Sequence, residues 1–190
     1  MASTYLRDED NGYRSGRIYA RADNPTFDQA EATLTALEGG AKSLIFSSGM
    51  SAATACFLAL SPGDHVVTSK VMYWALRNWL MTFATQWGLK VEFVDTDKTD
   101  QVAAAVKPGV TKLVWIETPA NPTWSVSDIA AIADIAHKSG ALLGVDSTVA
   151  TPVLTRPIEH GADIVMHSAT KYLNGHSDII AGALTGARDD

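Results

Sequence analysis

The sequence has a single cysteine, Cys56, so it can form no internal disulfide. That usage fits a reducing compartment. The place of Cys56 within the apolar stretch 52–60 reads as a buried, inert thiol rather than a nucleophile. Basic residues are in deficit, 15 lysines and arginines against 21 aspartates and glutamates, for a formal net charge of −6. A binder of the nucleic-acid backbone carries a basic face, and that class finds no support here. No apolar run is long enough to cross a bilayer, and the first ten residues lack the basic-then-apolar order of a signal peptide. These absences read as a cytoplasmic protein without nucleic-acid or membrane partners. Internal repeats and low-complexity tracts are also missing. What is present is ordinary: 46% hydrophobic and 19% charged residues in a chain of 190, enough to bury a core.

The first 25 residues are polar, hold Gly12 and Gly16, and show no periodicity; they read as an extended N-terminal arm, with residues 26–190 forming one domain. Asn24-Pro25-Thr26 then opens a helix, since proline suits the first helical position and a short polar side chain caps free N–H groups. Leu34 and Leu37 keep helical spacing up to the stop at Gly39-Gly40. From there the chain alternates. Strands are predicted at 43–46, 65–68, 90–94, 112–116, 142–145 and 164–167, and 179–184 is a further apolar segment. Helices are predicted from Gly49 to about Leu60, from Tyr73 to Trp87, near 100–106, and from a Ser127 cap to the stop at Gly140. Short apolar strands alternating with amphipathic helices indicate βαβ units, hence an α/β fold with a mostly parallel sheet covered on both faces.

In such sheets ligands bind beyond the carboxyl ends of the strands. The predicted strand ends bring forward Ser47-Ser48-Gly49-Met50, Glu117-Thr118-Pro119-Ala120-Asn121-Pro122, Asp146, and Ser168-Ala169-Thr170-Lys171. A small-residue turn opening a helix can hold a phosphate on its N–H groups. The turn lacks the GxGxxG spacing of a dinucleotide site. Taken singly, each feature is as well read as a tight connection, a cap or a solvated lysine. As a set they match one cofactor, pyridoxal 5′-phosphate (PLP), which needs a lysine for its aldehyde, an acid for its pyridine nitrogen and a site for a phosphate dianion.

Ser168-Ala169-Thr170-Lys171-Tyr172-Leu173-Asn174-Gly175-His176 resembles the lysine signature of the Cys/Met-metabolism PLP enzymes, the family of cystathionine γ-synthase, the cystathionine lyases, methionine γ-lyase and the homoserine sulfhydrylases. Tyr19-Ala20-Arg21-Ala22-Asp23-Asn24-Pro25-Thr26 is similar to its YxRxxNPT motif, and Glu117–Pro122 to its E-[ST]-P-x-N-P motif. The resemblance implies the large PLP-binding domain of the aspartate-aminotransferase-type fold. It implies that Lys171 carries the cofactor and moves protons, that Asp146 pairs with the ring nitrogen, and that Tyr73 stacks on the ring and assists acid–base steps. Gly49 and Met50 would offer amides to the phosphate, and Ser168 and Thr170 hydroxyls. Tyr19 and Arg21 would reach the phosphate of a neighbouring subunit, making the site dimeric within a tetramer of two dimers. Asn121, Glu117 and Tyr19 would contact substrate; no metal is expected.

Three departures accompany the match. Ser147 follows Asp146 where the family usually has asparagine. Trp74-Ala75 follow Tyr73 where it often has two glycines or Gly-Cys, which argues against a methionine γ-lyase. Family members are about twice as long, so the smaller C-terminal domain that carries an arginine for the substrate carboxylate is expected to be absent here. The implied reaction is β/γ-elimination or γ-replacement on a sulfur amino acid such as cystathionine, with a buried Lys171 amine taking the Cα proton. The motifs look most like the γ-lyase and γ-synthase branches. The alternatives are a sulfhydrylase or β-lyase of the same family, a non-catalytic PLP-binding fragment, and an aminotransferase, which shares the lysine and aspartate but not the arm.

Overall fold

The computed structural model describes residues 3–189. A seven-stranded sheet runs in the order β1-β7-β6-β5-β4-β2-β3. The strands are β1 (Lys42–Phe46), β2 (His65–Ser69), β3 (Lys90–Val94), β4 (Thr111–Glu117), β5 (Leu142–Asp146), β6 (Ile164–His167) and β7 (Gly182–Gly186). Strands β3, β2, β4, β5 and β6 are parallel neighbours, while β7 is antiparallel to both β6 and β1. Every strand except β7 therefore ends at the same edge. The apolar segment expected at 179–184 becomes β7 only from Gly182 onward.

Strand β4 shows why the sheet is hydrophobic on both faces. Val114 and Ile116 pack into one core with Ile132 and Ala136 of α6 (Ile129–Ser139) and Val102 of α5 (Thr99–Ala105). Leu113 and Trp115, one residue out of phase, enter a second core with Phe57 of α2 (Gly49–Leu58) and Leu76 of α3 (Trp74–Trp79). The period of two in a strand sends alternate side chains to opposite faces, and helices cover each. Cys56 lies in the second core, where burial pushes its thiol up to about 12; a thiol held protonated is a poor nucleophile.

Helix α1 (Pro25–Glu38) begins as its sequence dictates: Asn24 accepts the Thr26 N–H, Pro25 follows, and Gly39 ends the helix at φ 69°. Leu34 is buried but Leu37 is 45% exposed, so the expected apolar stripe is half occupied. The last residue, Glu38, is wholly buried and bonds His167 at the end of β6. The predicted helix 73–87 is realised as α3, a π-helical segment Leu80–Ala84 and a last turn, α4 (Thr85–Trp87), ended by Gly88. Asp128, not Ser127, caps α6 by accepting the Ala131 N–H. Ser127 instead bonds Thr118 and Thr96, two loops away, and is spent before the helix starts. Two short elements absent from the sequence reading, α7 (Thr151–Leu154) and a 3-10 turn Pro157–His160, lie between β5 and β6.

The arm is not extended over its described residues. Thr4 and Tyr19 form an antiparallel bridge, Tyr5 N–H donates to the Ile18 carbonyl, and the Tyr5 hydroxyl reaches the Asp23 carbonyl. A chain with two glycines and a tight turn at 8–12 satisfies its own backbone groups by doubling back. No helix among the described residues is long and apolar enough to cross a membrane.

Strand β7 crosses the turn after β1 at a separation only glycine allows. A Cβ on Gly182 would lie 2.1 Å from the Ser48 carbonyl oxygen and 2.8 Å from the Gly49 nitrogen. Backbone cannot step aside as a side chain can, so Gly182→Ala is expected to cost about 2–3 kcal/mol in urea unfolding. Gly109→Ala, at positive φ but facing open space, is expected to cost roughly 1 kcal/mol. Equal losses at the two positions would show that the crossing is not tight.

Candidate functional site

The carboxyl edge of the sheet opens into a cleft of about 1180 Å³. Gly49, Met50, Tyr73, Glu117, Asn121, Asp146, Ser168, Thr170 and Lys171 all line it. Residues from five separate loops thus meet because six of the seven strands end at one edge. Tyr19 and Arg21 do not line it; they lie in the doubled-back arm, exposed, with the Arg21 guanidinium 5.1 Å from the centre of the Tyr19 ring.

The floor of the cleft is acidic and buried. Glu117 and Asp146 are register partners on the adjacent strands β4 and β5, each 7% exposed. Asp146 Oδ1 accepts both the N–H and the hydroxyl of Thr148, and Oδ2 accepts no hydrogen bond among the described residues. Burial pushes the Asp146 carboxyl above its usual range against the pull of the Thr148 bonds. Glu117 is pushed up to about 7, first by burial and then by the charge of Asp146. Its oxygens are both engaged, Oε2 by the Tyr73 N–H at 2.7 Å and Oε1 by the Asn121 N–H at 3.0 Å. Ser147 points its hydroxyl into the interior, where it has no partner among the described residues.

The end of the cleft beside α2 is built from backbone. Ser48 caps α2 by accepting the Ser51 N–H at 3.1 Å, leaving the N–H groups of Gly49 and Met50 ahead of it. A Cβ on Gly49 would sit 2.8 Å from both Cβ and Oγ of Ser168, so the missing side chain is what lets the lysine loop close on the helix start. The Ser168 backbone is tied to Thr148 by its N–H, and its hydroxyl makes no bond among the described residues. Thr170 differs: its hydroxyl donates to the Ala181 carbonyl and accepts the Ala181 N–H, both at 3.0 Å. It ties the lysine loop to the entry of β7 and has no spare proton for an anion.

The rim is open. Tyr73 is 47% exposed, with its ring 6.1 Å from that of Trp74. Lys171 and Asn121 are also exposed. The burial expected around the Lys171 amine is therefore not supplied by the described residues, because the loop 171–180 runs over the surface between β6 and β7. The sequence reading also passed over Thr148, Met166, Trp124 and the 177–180 segment, all of which line the cleft. Thr148 was findable as the hydroxyl two residues after Asp146, in position for an Asx-type turn; the others depend on how loops fold back.

These residues fit PLP. A buried carboxylate with one free oxygen suits a protonated ring nitrogen, a helix start with unspent N–H groups beside the Ser168 hydroxyl suits a phosphate, and an exposed lysine stands at the same cleft.

A sequence model of the Cys/Met metabolism PLP-dependent enzyme family matches residues 1–190. An L-methionine gamma-lyase from Porphyromonas gingivalis is 46% identical over 180 residues, 94% of this chain and 45% of the relative. A cystathionine gamma-lyase from Bacillus subtilis is 43% identical over 187 residues, 98% of this chain and 49% of the relative. The crystal structure of metB from Corynebacterium glutamicum matches with a TM-score of 0.94 at 40% identity, covering 98% of this chain and 49% of that one. The chain spans about half the length of the curated relatives it matches. A γ-synthase at 45% and a β-lyase at 42% stand beside these, so identity does not choose a branch. With the match running from one end to the other, the chain belongs to the Cys/Met metabolism PLP-dependent enzyme family.

Proposed function

We propose that this chain forms the cofactor-binding half of a PLP-dependent enzyme that eliminates or replaces the β or γ substituent of a sulfur amino acid, with a cystathionine γ-lyase or γ-synthase-like reaction favoured. The observation that supports this best is the meeting of Lys171, Asp146, Tyr73 and the start of α2 in one cleft. When bound, PLP supplies a sink for the negative charge that develops at the substrate Cα.

In this reading Lys171 Nζ would hold the cofactor and, once free, would take the Cα proton and return it at a neighbouring carbon. Asp146, whose Oδ2 accepts no bond among the described residues, would hold the ring nitrogen and keep it protonated. The Thr148 bonds to Oδ1 fix the carboxylate of a residue that lines the cleft and leave its other oxygen unspent. Gly49 and Met50 donate N–H groups and Ser168 its hydroxyl to the phosphate, while Thr170 holds the loop that carries Lys171. Tyr73 and Asn121, which line the same cleft, would stack on the ring and help hold cofactor and substrate respectively. Tyr19 and Arg21 belong to the site of a second copy, in a dimer that pairs into a tetramer. Their exposure leaves both side chains available for that contact.

Borohydride reduction of the protein mixed with PLP is expected to leave a stable label on the peptide containing Lys171, and Lys171→Ala is expected to leave none. A label on another lysine, or one that survives the substitution, would overturn the assignment.

The paired carboxyls give a pH dependence. Glu117 titrates near 7 in the folded chain against its usual 4.5, so folding favours its protonated form. That contribution is fully present below about pH 4.5 and is lost as pH rises through 7, a change on the order of 3 kcal/mol. His65, lowered by burial and by Lys107, works in the opposite sense, so the comparison must be between variants. Across pH 5 to 8, wild type is expected to lose stability relative to Glu117→Gln in urea titrations of the cofactor-free protein. Parallel curves would show that Glu117 ionises normally.

A further inference from the structure

We infer that Glu117 is a positioning residue, a clamp whose two carboxylate oxygens hold the backbones of Tyr73 and Asn121 in fixed register across the mouth of the cleft. The inference rests on the proposed roles of Tyr73 and Asn121 at the cofactor. The two groups it joins belong to different loops: Tyr73 ends the connection from β2 into α3, and Asn121 lies in the connection from β4 to α6. The anchor between them is a buried carboxylate at the end of β4, bonded to each through a main-chain N–H.

The burial pattern argues for this role over direct substrate contact. Tyr73 exposes nearly half its surface, so packing does not fix its ring. Trp74, its only ring neighbour among the described residues, is itself 73% exposed. What holds Tyr73 is its main chain, and that is held by Glu117. Asn121 is exposed as well, and its N–H bond to Glu117 is its link to the sheet. A carboxylate already accepting at 2.7 and 3.0 Å from two N–H donors, and 7% exposed, is turned inward rather than toward a ligand. The geometry alone carries the assignment: one buried side chain accepts two main-chain N–H groups that lie 48 residues apart in the sequence.

The test is hydrogen–deuterium exchange of the cofactor-free chain together with PLP titration of the same variants. In Glu117→Ala, the amides of Tyr73 and Asn121 are expected to exchange at least tenfold faster, while those of Leu113 and Val145 in the core stay protected. The PLP dissociation constant is expected to rise about tenfold or more, the effect of losing roughly 1.4 kcal/mol of organisation. Glu117→Gln, which keeps one carbonyl oxygen, is expected to protect one of the two amides and to bind PLP with intermediate affinity. Amides that keep their protection in Glu117→Ala would overturn the clamp. Freed amides with unchanged PLP affinity would overturn its positioning role. Wild-type protein that takes up no PLP would overturn the functional reading instead, and the exchange result would still decide the clamp.

Discussion

A methyl group on Gly182 would meet the Ser48 carbonyl at 2.1 Å, and one on Gly49 would meet the Ser168 side chain at 2.8 Å. These two contacts describe one junction, where the start of α2, the entry of β7 and the lysine loop come together. Everything at the anion end of the cleft depends on that closeness. The lysine loop reaches the start of α2 because neither glycine carries a side chain to hold them apart. Thr170 completes the junction by bonding Ala181 twice, so the loop that presents Lys171 is tied to the strand lying against Ser48. An antiparallel strand in an otherwise parallel sheet thus has a specific use: it returns the chain across the carboxyl edge just after the lysine.

The acidic floor is a second constraint and an unfavourable one. Two carboxyls on neighbouring strands, both buried, repel each other and lose hydration. Buried charge is tolerated only where it is bonded or paired. Each carboxyl is bonded, but differently: Thr148 satisfies one oxygen of Asp146, while two loop amides satisfy both oxygens of Glu117. The difference divides their labour. Asp146 has an oxygen to offer a cationic ligand, and Glu117 has none. The repulsion between them makes a positive ligand at Asp146 more welcome than a neutral one, because it relieves both acids.

Much of this was legible in the sequence, and the parts that were not share a cause. The α/β class, six strands and the cap at Asn24 followed from periodicity and turn chemistry, which are local. The set of residues gathered at the strand ends followed from the rule that parallel strands finish at one edge. The doubled-back arm, the Asp128 cap and the π segment at 80–84 did not follow. Ser127 looked the better cap until Thr118 and Thr96 claimed it, and those partners lie 9 and 31 residues away. The engagement of Glu117 was equally hidden, since Tyr73 is 44 residues from it. Motif resemblance located these side chains without saying which atoms were already spent.

The contrast between floor and rim carries the last step. Asp146, with one oxygen free, and Glu117, which anchors two loops, sit on strands within a packed sheet, where their positions are fixed before any ligand arrives. Preorganised charge of this kind avoids the cost of reorganising at the moment of reaction. The Lys171 amine and the Tyr73 ring sit on exposed loops whose backbones are pinned, Lys171 by the Ser168 carbonyl and Tyr73 by Glu117. In its proposed role the Lys171 side chain needs rotational freedom to form and release a bond to the cofactor, whereas the backbone beneath it must not drift. A pinned main chain with a free side chain satisfies both demands, which makes the anchors as consequential for the chemistry as the residues they hold.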